Sequence, residues 1–413
     1  MPIKQGDNGQ FAISDILATN AAALLSMGGT VLKRVSTDWE PDFKNKTGTV
    51  KFGSDIKIKI PSLLQSRSDF KWDAIPISER EKTLAINKVS RIPLEVSLPD
   101  ATFNINSEEA RGAGKLGQTA GQTIAADCDA DIISKMVVGC NNAIVAASPN
   151  LSTTDIDLAT VALDDNAMPE SALASDKTVM FNSMIAYQVR KSSKGLFNPQ
   201  TAVANMFLSG SLPKEIAGFE PLVNRRVGML EVGKGNFAGF SIVDGSNRAT
   251  VNSTTGFRIG DRIVLKKGSD NVTVVDPYSK TPLSSPAMRS IIGIEGANIL
   301  LLSQEVILKG VNQNVSDLPD AAAYPTGLVA GSTYDIALVF YREAFTFASP
   351  ELDIGAESGN GVSVGRENIE GVNLVVTKQF VNTLAANTIA FQAIWGSTYV
   401  RPEWASLIYI PKG

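Results

Sequence analysis

Alternation of apolar and polar residues marks the most regular strand in the first quarter of the chain. In Asp55–Ile60 every second residue is isoleucine, and the residues between are aspartate or lysine. Because successive side chains of a strand point to opposite faces, this pattern predicts a half-exposed strand with one apolar face. A second apolar stretch, residues 84–98, follows a polar segment and is predicted to pair with it as a long hairpin. Such a hairpin is too thin to bury a core alone.

Residues 107–147 carry the longest helical pattern in the chain. Apolar residues recur at every fourth position, namely Ala120, Ile124, Cys128, Ile132, Met136 and Cys140. This stripe predicts a helix that packs on a sheet. Asp127, Asp129 and Asp131 begin like a calcium-binding loop, but the glycine and the final glutamate of such a loop are absent. We therefore predict that they lie on a solvated face of the helix.

The remainder of the chain alternates between α/β and all-β patterns. Residues 178–181 predict a short strand, and Asn182 is the predicted N-cap of the helix that follows. Residues 227–312 contain short apolar stretches separated by turn residues and no long helical pattern, which predicts a small inserted β-barrel. Long strands return in residues 334–345, 372–381, 388–395 and 406–410.

Composition and charge argue against a dedicated binder of nucleic acid or of anionic membranes. The chain has 413 residues, with 38 lysines and arginines against 42 acids, and a net charge of −4. A protein that binds nucleic acid or anionic membranes through its surface would need a basic excess. Asp7 and Asp15 interrupt the first apolar segment, which favours an amphipathic arm helix over a signal peptide. No stretch offers about 18 uninterrupted apolar residues, so we expect no membrane span and synthesis in the cytoplasm.

The absence of histidine removes the usual centres of catalysis. The sequence has no histidine and two cysteines, Cys128 and Cys140. Catalytic triads, Cys-His pairs and histidine-based zinc sites are therefore excluded, and two thiols are too few for a four-cysteine zinc site. About 12 residues of helix would separate the two cysteines by roughly 18 Å, so a disulfide between them is not expected. We predict no catalytic residue, no cofactor and no metal.

Three stretches of the chain stand out, namely WGSTYVRPEWASLIYI at 395–410, TVNSTTGFRIGDRIVL at 250–265, and the strand and helix within 178–222. Together they resemble the major coat proteins of P22-like tailed bacteriophages, which share the HK97 capsid fold. Residues 395–410, WGSTYVRPEWASLIYI, resemble the aromatic-Gly, Arg-Pro-Glu and apolar-strand ending of that family, although Trp404 stands where a small residue is more usual. Residues 250–265, TVNSTTGFRIGDRIVL, are similar to the Thr-Gly and Gly-Asp turns of its inserted barrel. Residues 178–222 resemble its axial-domain strand and helix.

The resemblance implies an α+β, HK97-like capsid fold with an inserted small all-β barrel. It divides the chain into an N-terminal arm (1–47), an extended E-loop with peripheral-domain strands (48–106), a spine helix (107–149), the first part of the axial domain (150–226), the inserted β-barrel (227–312), and axial and peripheral strands (313–413).

The function that the resemblance implies is structural. It implies a shell of hexamers and pentamers around double-stranded DNA, built in the cytoplasm of a bacterial host through a procapsid. Its partners would be other copies of the chain, a scaffolding protein, a portal protein and DNA without sequence specificity, with no membrane. The residues predicted to contact neighbouring copies are Asp244, Arg248, Arg401, Glu403 and Trp404. The loop from Asp244 to Arg248 is shorter than in the family, which weakens a bridging role for it.

Three alternatives stay open from the sequence. A cellular nanocompartment shell would use the same fold around an enzyme, although the inserted barrel favours a phage. A histidine-free carbohydrate-binding or carbohydrate-acting β-protein would use acids and aromatic residues such as Trp39 or Trp72. A phage tail or decoration protein would lack the long helix.

Overall fold

A computed structural model describes residues 31–38, 55–60, 79–97, 108–169, 174–193, 212, 215–352, 362–369, 371–381 and 386–412. The predicted arm helix and the far end of the predicted hairpin lie outside these residues. The helices are α1 Glu108–Gly139, α2 Thr153–Asp164 and α3 Ser183–Ser193. The strands, in chain order, are β1 Asp55–Ile60, β2 Arg80–Ala85, β3 Lys88–Ser97, β4 Asn142–Val145, β5 Lys177–Phe181, β6 Glu220–Val223, β7 Met229–Glu231, β8 Ser241–Ile242, β9 Ser246–Thr250, β10 Arg262–Lys267, β11 Asp270–Asn271, β12 Thr273–Val275, β13 Pro282–Pro286, β14 Met288–Glu295, β15 Ile299–Val306, β16 Ala321–Ala323, β17 Thr333–Tyr341, β18 Phe345–Ala348, β19 Val362–Ile369, β20 Val372–Val381, β21 Ala386–Tyr399 and β22 Ala405–Pro411.

The described residues divide into two compact units. The first unit takes its residues from Met1–Ile56, Thr83–Ile132 and Thr346–Thr398. The second takes them from Lys57–Lys82, Ile133–Phe345 and Tyr399–Gly413. Each unit therefore combines segments that are far apart in the sequence, and neither is complete without residues near 400.

The first unit contains a five-stranded sheet in the order β18-β21-β20-β19, with β3 also paired to β21. β3 and β21 run antiparallel over ten residue pairs, from Ala386 opposite Ser97 to Trp395 opposite Lys88. The predicted strands at 372–381 and 388–395 are confirmed. The strand predicted at 84–98 is confirmed over Lys88–Ser97, but its predicted pairing with Asp55–Ile60 is wrong. β1 pairs with β2, which ends at Ala85, whereas β3 pairs with β21.

Three aspartates of α1 attach other segments of the first unit to the helix. Asp129 is buried, and its Oδ1 accepts a hydrogen bond of 3.0 Å from the backbone N–H of Val31. Asp127 Oδ2 accepts a bond of 2.8 Å from the Ser90 hydroxyl. Asp131 Oδ2 accepts one of 2.6 Å from the Ser397 hydroxyl. The prediction that all three decorate a solvated face is therefore wrong for Asp129, because the segment around Val31 covers it.

The second unit is built on a six-stranded sheet in the order β4-β22-β17-β5-β6, with β7 also paired to β17. β22 pairs antiparallel with β17, from Tyr334 opposite Pro411 to Phe340 opposite Ala405, and parallel with β4. Every residue from Ala405 to Ile410 is buried. The predicted apolar strand at 406–410 is confirmed, and its burial follows from its place inside the sheet.

The long helix is shorter than predicted. Its stripe of apolar residues at every fourth position is buried, as expected. However, α1 ends at Gly139 and residues 142–145 form β4, so the predicted spine helix of 107–149 is wrong beyond Gly139. A Cβ atom at Gly139 would lie 2.7 Å from the Tyr399 ring, which shows how closely the neighbouring chain approaches the helix end. β4 forms because β22 offers it a parallel partner.

Two helices accompany the six-stranded sheet. α2 packs against β4, β22 and β17, and it begins with a capping box in which the Ser152 and Asp155 side chains each bond the other's backbone N–H. α3 follows β5 directly, and the Asn182 Oδ1 accepts a bond of 2.9 Å from the N–H of Ile185. The predicted strand, the Asn182 cap and the helix are thus confirmed.

A seven-stranded antiparallel sheet occupies the middle of the chain. Its order is β11-β10-β14-β15-β9-β8, with β16 paired to β10. The residues that form its hydrophobic core include Phe240, Ile263, Leu265, Ile291, Leu300 and Leu302. β7 and β17 belong to the six-stranded sheet, so the chain leaves that sheet, builds this one and returns. The barrel and its boundaries at 227–312 stay predictions.

The first hairpin is partly buried within its own chain. Ile56, Ile58 and Ile60 of β1 are buried, as the alternation predicts. On the other face, Lys57 and Lys59 pair with Glu81 and Glu79 at 3.1 and 2.8 Å. The expectation that the hairpin is too thin to bury a core alone stays a prediction.

Candidate functional site

The turn between β21 and β22 holds three of the five predicted contact residues. Pro402–Trp404 forms a single 3-10 turn with proline at its start. Trp404 is buried, donates a hydrogen bond of 3.0 Å from Nε1 to the carbonyl of Asn166, and meets the Tyr341 ring edge-on at 5.5 Å. The Arg401 guanidinium lies over the Trp404 ring, 4.3 Å from its centroid. Trp404 therefore anchors the turn within its own subunit.

Glu403 is a carboxylate among several arginines, of which Arg289 is buried and Arg80 and Arg401 are partly exposed. Its Oε1 lies 3.3 Å from Nη2 of Arg80, and only 10% of its side chain is exposed. Burial lowers the pKa of Arg289 to about 10, and the charge of Glu403 opposes that shift. Burial also lowers the pKa of Arg401, which Glu403 again opposes. The excess of cations makes this cluster dependent on Glu403 for charge balance.

The cluster opens into a small polar cleft. The cleft has a volume of about 50 Å³, and its lining includes Arg80, Lys280, Arg401 and Glu403. Among the described residues, Glu403 Oε2 has no hydrogen-bond partner. The same holds for Nε and Nη2 of Arg289.

Arg262 joins the seven-stranded sheet, called the inserted sheet below because the chain leaves and re-enters the six-stranded sheet around it, to the end of α1. It is fully buried at the start of β10. Its Nε donates a hydrogen bond of 3.1 Å to the carbonyl of Cys140, and its two terminal nitrogens donate to the carbonyls of Val137 and Gly260. The last carbonyls of a helix lack partners within the helix, and a cation there also opposes the helix dipole. Arg262 thus caps α1 from another element.

Neutral side chains continue this attachment beside Arg262. The Asn141 amide donates a bond of 2.9 Å to Gln304 Oε1 and accepts one from the Ser303 hydroxyl. The Ser290 hydroxyl donates to the carbonyl of Val138. Asn142 donates to the carbonyls of Glu403 and Ala405, at 2.9 and 3.1 Å. The end of α1, the inserted sheet and the Arg401–Trp404 turn therefore form one connected polar junction.

The Thr-Gly and Gly-Asp turns also have a structural role. The Asp261 carboxylate accepts bonds of 2.8 Å each from the backbone N–H groups of Gly233 and Arg258. Gly256 and Gly260 have φ of +90° and +98°, a backbone conformation that favours glycine. The Asp261 side chain thereby ties the connection after β7 to the turn before β10.

Asp244 lies at the exposed turn between β8 and β9, and Arg248 lies on the exposed side of β9. Asp244 Oδ1 accepts a bond of 2.8 Å from the N–H of Leu308. Arg248 pairs with Glu295 of the same chain, with about half of its side chain exposed. The predicted contacts of Asp244, Arg248, Arg401, Glu403 and Trp404 with neighbouring copies stay predictions. The structure brings Arg401, Glu403 and Trp404 together. Asp244 and Arg248 lie elsewhere, at the β8–β9 turn and in β9.

Sequence reasoning missed Arg80, Arg262 and Arg289. Arg262 begins the apolar run RIVL, and Arg289 stands in the run MRSII. An arginine within a mainly apolar strand is the signal that would have identified these two residues. Within the described residues, no group of three or more cysteines and acids is placed to hold a metal ion. No described helix is long and apolar enough to cross a membrane.

Comparison with solved structures finds similarities over nearly the whole length. A structure from Mycobacterium phage Che8 is 13% identical, with 92% of this chain and 90% of that chain covered and a TM-score of 0.46. The capsid structure of the cyanophage P-SCSP1u is 12% identical, with 88% and 86% covered and a TM-score of 0.43. A virus-like particle from Pyrococcus furiosus is 9% identical, with 96% and 98% covered and a TM-score of 0.42. No family model and no curated protein matches the chain.

Proposed function

We propose that this chain is the major capsid protein of a tailed bacteriophage, a structural protein that encloses double-stranded DNA in a shell made of its own copies. The shell consists of hexamers and pentamers, and its precursor is a procapsid formed on a scaffolding protein. The chain acts through its surfaces and carries out no reaction. The fold of the subunit is HK97-like with an inserted β-barrel.

The observation that carries the proposal is the interruption of one sheet by another. β6, β7, β17 and β22 belong to the six-stranded sheet, whereas β8 to β11 and β14 to β16 form a separate sheet with its own hydrophobic core. This is the arrangement that the sequence resemblance implies for an inserted domain. The long α1, the pair of β1 and β2, and the five-stranded sheet of β3 and β18 to β21 support the proposal, because the resemblance implies a spine helix, an extended hairpin and peripheral strands.

The polar junction supports a mechanical role for the same elements. Arg262, Asn141 and Ser290 attach the inserted sheet to the end of α1 through buried hydrogen bonds. Buried and satisfied polar contacts fix one relative arrangement of the elements that they join. A shell subunit needs such rigidity, because every copy must present the same surfaces to its neighbours.

The test is assembly in cells. The chain is expressed alone and with its candidate scaffolding protein, and the products are examined by sedimentation and by electron microscopy of negatively stained samples. We expect closed shells with the scaffolding protein, and rings, sheets or irregular shells without it. A monomer under both conditions would contradict the proposal.

The contents of the particles separate a phage shell from a nanocompartment. Particles purified from infected or induced cells are treated with nuclease, opened, and analysed for nucleic acid and for protein cargo. Nuclease-protected double-stranded DNA of uniform length supports the proposal, whereas an enclosed enzyme without DNA would replace it with the nanocompartment alternative.

A further inference from the structure

Two exposed apolar helix faces of opposite charge stand on the second unit. On α2, Leu158 and Val161 are 51% and 52% exposed, one helical turn apart. On α3, Met184 and Tyr187 are 61% and 55% exposed, again one turn apart. Single exposed apolar residues are common, but pairs aligned along one helix face indicate a surface that another protein covers.

The charges around these two pairs are segregated. All charged residues of α2 are acidic, and Asp157 lies beside Leu158 on the exposed face. All charged residues of α3 are basic, and Lys191 lies one turn beyond Tyr187 on the exposed face. Among the residues that the structure describes, neither Asp157 nor Lys191 makes an ion pair. The two faces are therefore complementary in charge and alike in apolar character.

The helices lie towards opposite edges of the six-stranded sheet. α2 packs against β4, an edge strand, and against β22 beside it. α3 connects β5 to β6, and β6 is the other edge strand. In the chain, α2 lies between β4 and β5, and α3 lies between β5 and β6. These three strands are parallel, and both connections run from the β4 side of the sheet towards β6. Right-handed crossovers therefore place α2 and α3 on the same face of the sheet. A contact between unlike surfaces at opposite edges of a subunit is the kind that generates rings.

We propose that the α2 face of one copy binds the α3 face of the next copy around a capsomer. Leu158 and Val161 pack against Met184 and Tyr187, and Asp157 faces the basic end of α3 near Lys191. The partner is thus a second copy of this chain, and the inference rests on the proposed function. One such helix pair is small compared with a stable interface of about 1,600 Å², so a closed ring is needed to hold it.

A charge swap tests the pairing. Asp157→Lys and Lys191→Glu are made singly and together, each in the full-length chain co-expressed with the scaffolding protein. Each single change places like charges in contact, and we expect the yield of shells to fall at least about 10-fold. The double variant restores opposite charges with their positions exchanged, and we expect its yield to return to within about 3-fold of the unmodified protein.

Matched controls separate assembly from folding. Lys309→Glu makes the same change of charge as Lys191→Glu, at an exposed position in the loop after β15. We expect this variant to assemble normally. Thermal unfolding of all variants should agree, since both substituted residues are exposed. Single variants that assemble normally, or a double variant that fails like the singles, would overturn the pairing. If the unmodified protein forms no shells or rings, the proposed function fails and the pairing fails with it.

Discussion

Replacing Arg262 by methionine should destabilise the second unit strongly. The substitution keeps an unbranched side chain as far as the position of Nε and removes all three donors that bind the carbonyls of Val137, Cys140 and Gly260. A hydrogen bond from a charged donor contributes about 1.5–3 kcal/mol, and carbonyls left buried without a partner add a cost. Removing the buried charge recovers part of this, because the guanidinium was desolvated. We therefore expect a loss of about 3–5 kcal/mol.

Thermal unfolding and hydrogen exchange measure this loss. For a unit of this size, about 1 kcal/mol corresponds to roughly 2–4 °C, so the unfolding midpoint should fall by roughly 10 °C. Exchange should accelerate most at the end of α1, where the Cys140 N–H bonds the carbonyl of Met136 at 3.0 Å. Arg262→Lys retains the charge but lacks the fork of donors, so we expect an intermediate midpoint.

The matched control is Arg258→Met. Arg258 binds both oxygens of Glu231, at 2.7 and 2.8 Å, but about half of its side chain is exposed. An exposed ion pair contributes about 0–1 kcal/mol, so the midpoint should fall by less than roughly 3 °C. Equal shifts for Arg262→Met and Arg258→Met would refute the reasoning, because burial would then not determine the size of the effect.

Further predictions concern the Arg401–Trp404 turn and the thiols. Trp404→Phe should cost about 1 kcal/mol through the lost Nε1 hydrogen bond, and Trp404→Ala about 3–5 kcal/mol through the cavity, both measured by thermal unfolding. Glu403→Gln should cost about 3 kcal/mol, because Arg80 loses its carboxylate, and a midpoint equal to the unmodified protein would contradict this. Cys128 and Cys140 are buried, so a thiol reagent should label both only in denaturant. Burial raises the pKa of Cys140 from 9.0 to about 11, so its stabilising contribution is complete below pH 9 and is lost as the pH rises to 11. The urea midpoint should therefore fall less over this range in Cys140→Ala than in the unmodified protein.

Local patterns predicted the elements whose structure depends on their own residues. The isoleucines of Asp55–Ile60 face inward because a strand has a period of two. The apolar residues at every fourth position from Ala120 to Cys140 predicted the buried stripe of α1. Asn182 predicted the start of α3. In each case a few neighbouring side chains determine the outcome.

Errors arose where a distant segment decides the structure. α1 ends at Gly139 because β22, about 260 residues later, offers β4 a parallel partner. The strand at Lys88–Ser97 does not pair with Asp55–Ile60, because β21 is its partner. Asp129 is buried because the segment near Val31 covers it. Local sequence patterns do not show which distant residues will be partners. The roles of Arg80, Arg262 and Arg289 therefore became visible only in the structure.

The position of β22 between β4 and β17 has a consequence for synthesis on the ribosome. Once residues 142–341 have left the exit tunnel, β4 and β17 can take their places in the sheet, but the place of β22 between them is still empty. Both strands then expose unpaired edges, which attract other nascent chains. Closing this gap requires contacts across roughly 260 residues, which makes the step slow. Chaperone demand should therefore peak late in translation, and a product that stops before Ala405 should be degraded or aggregate before it reaches any particle.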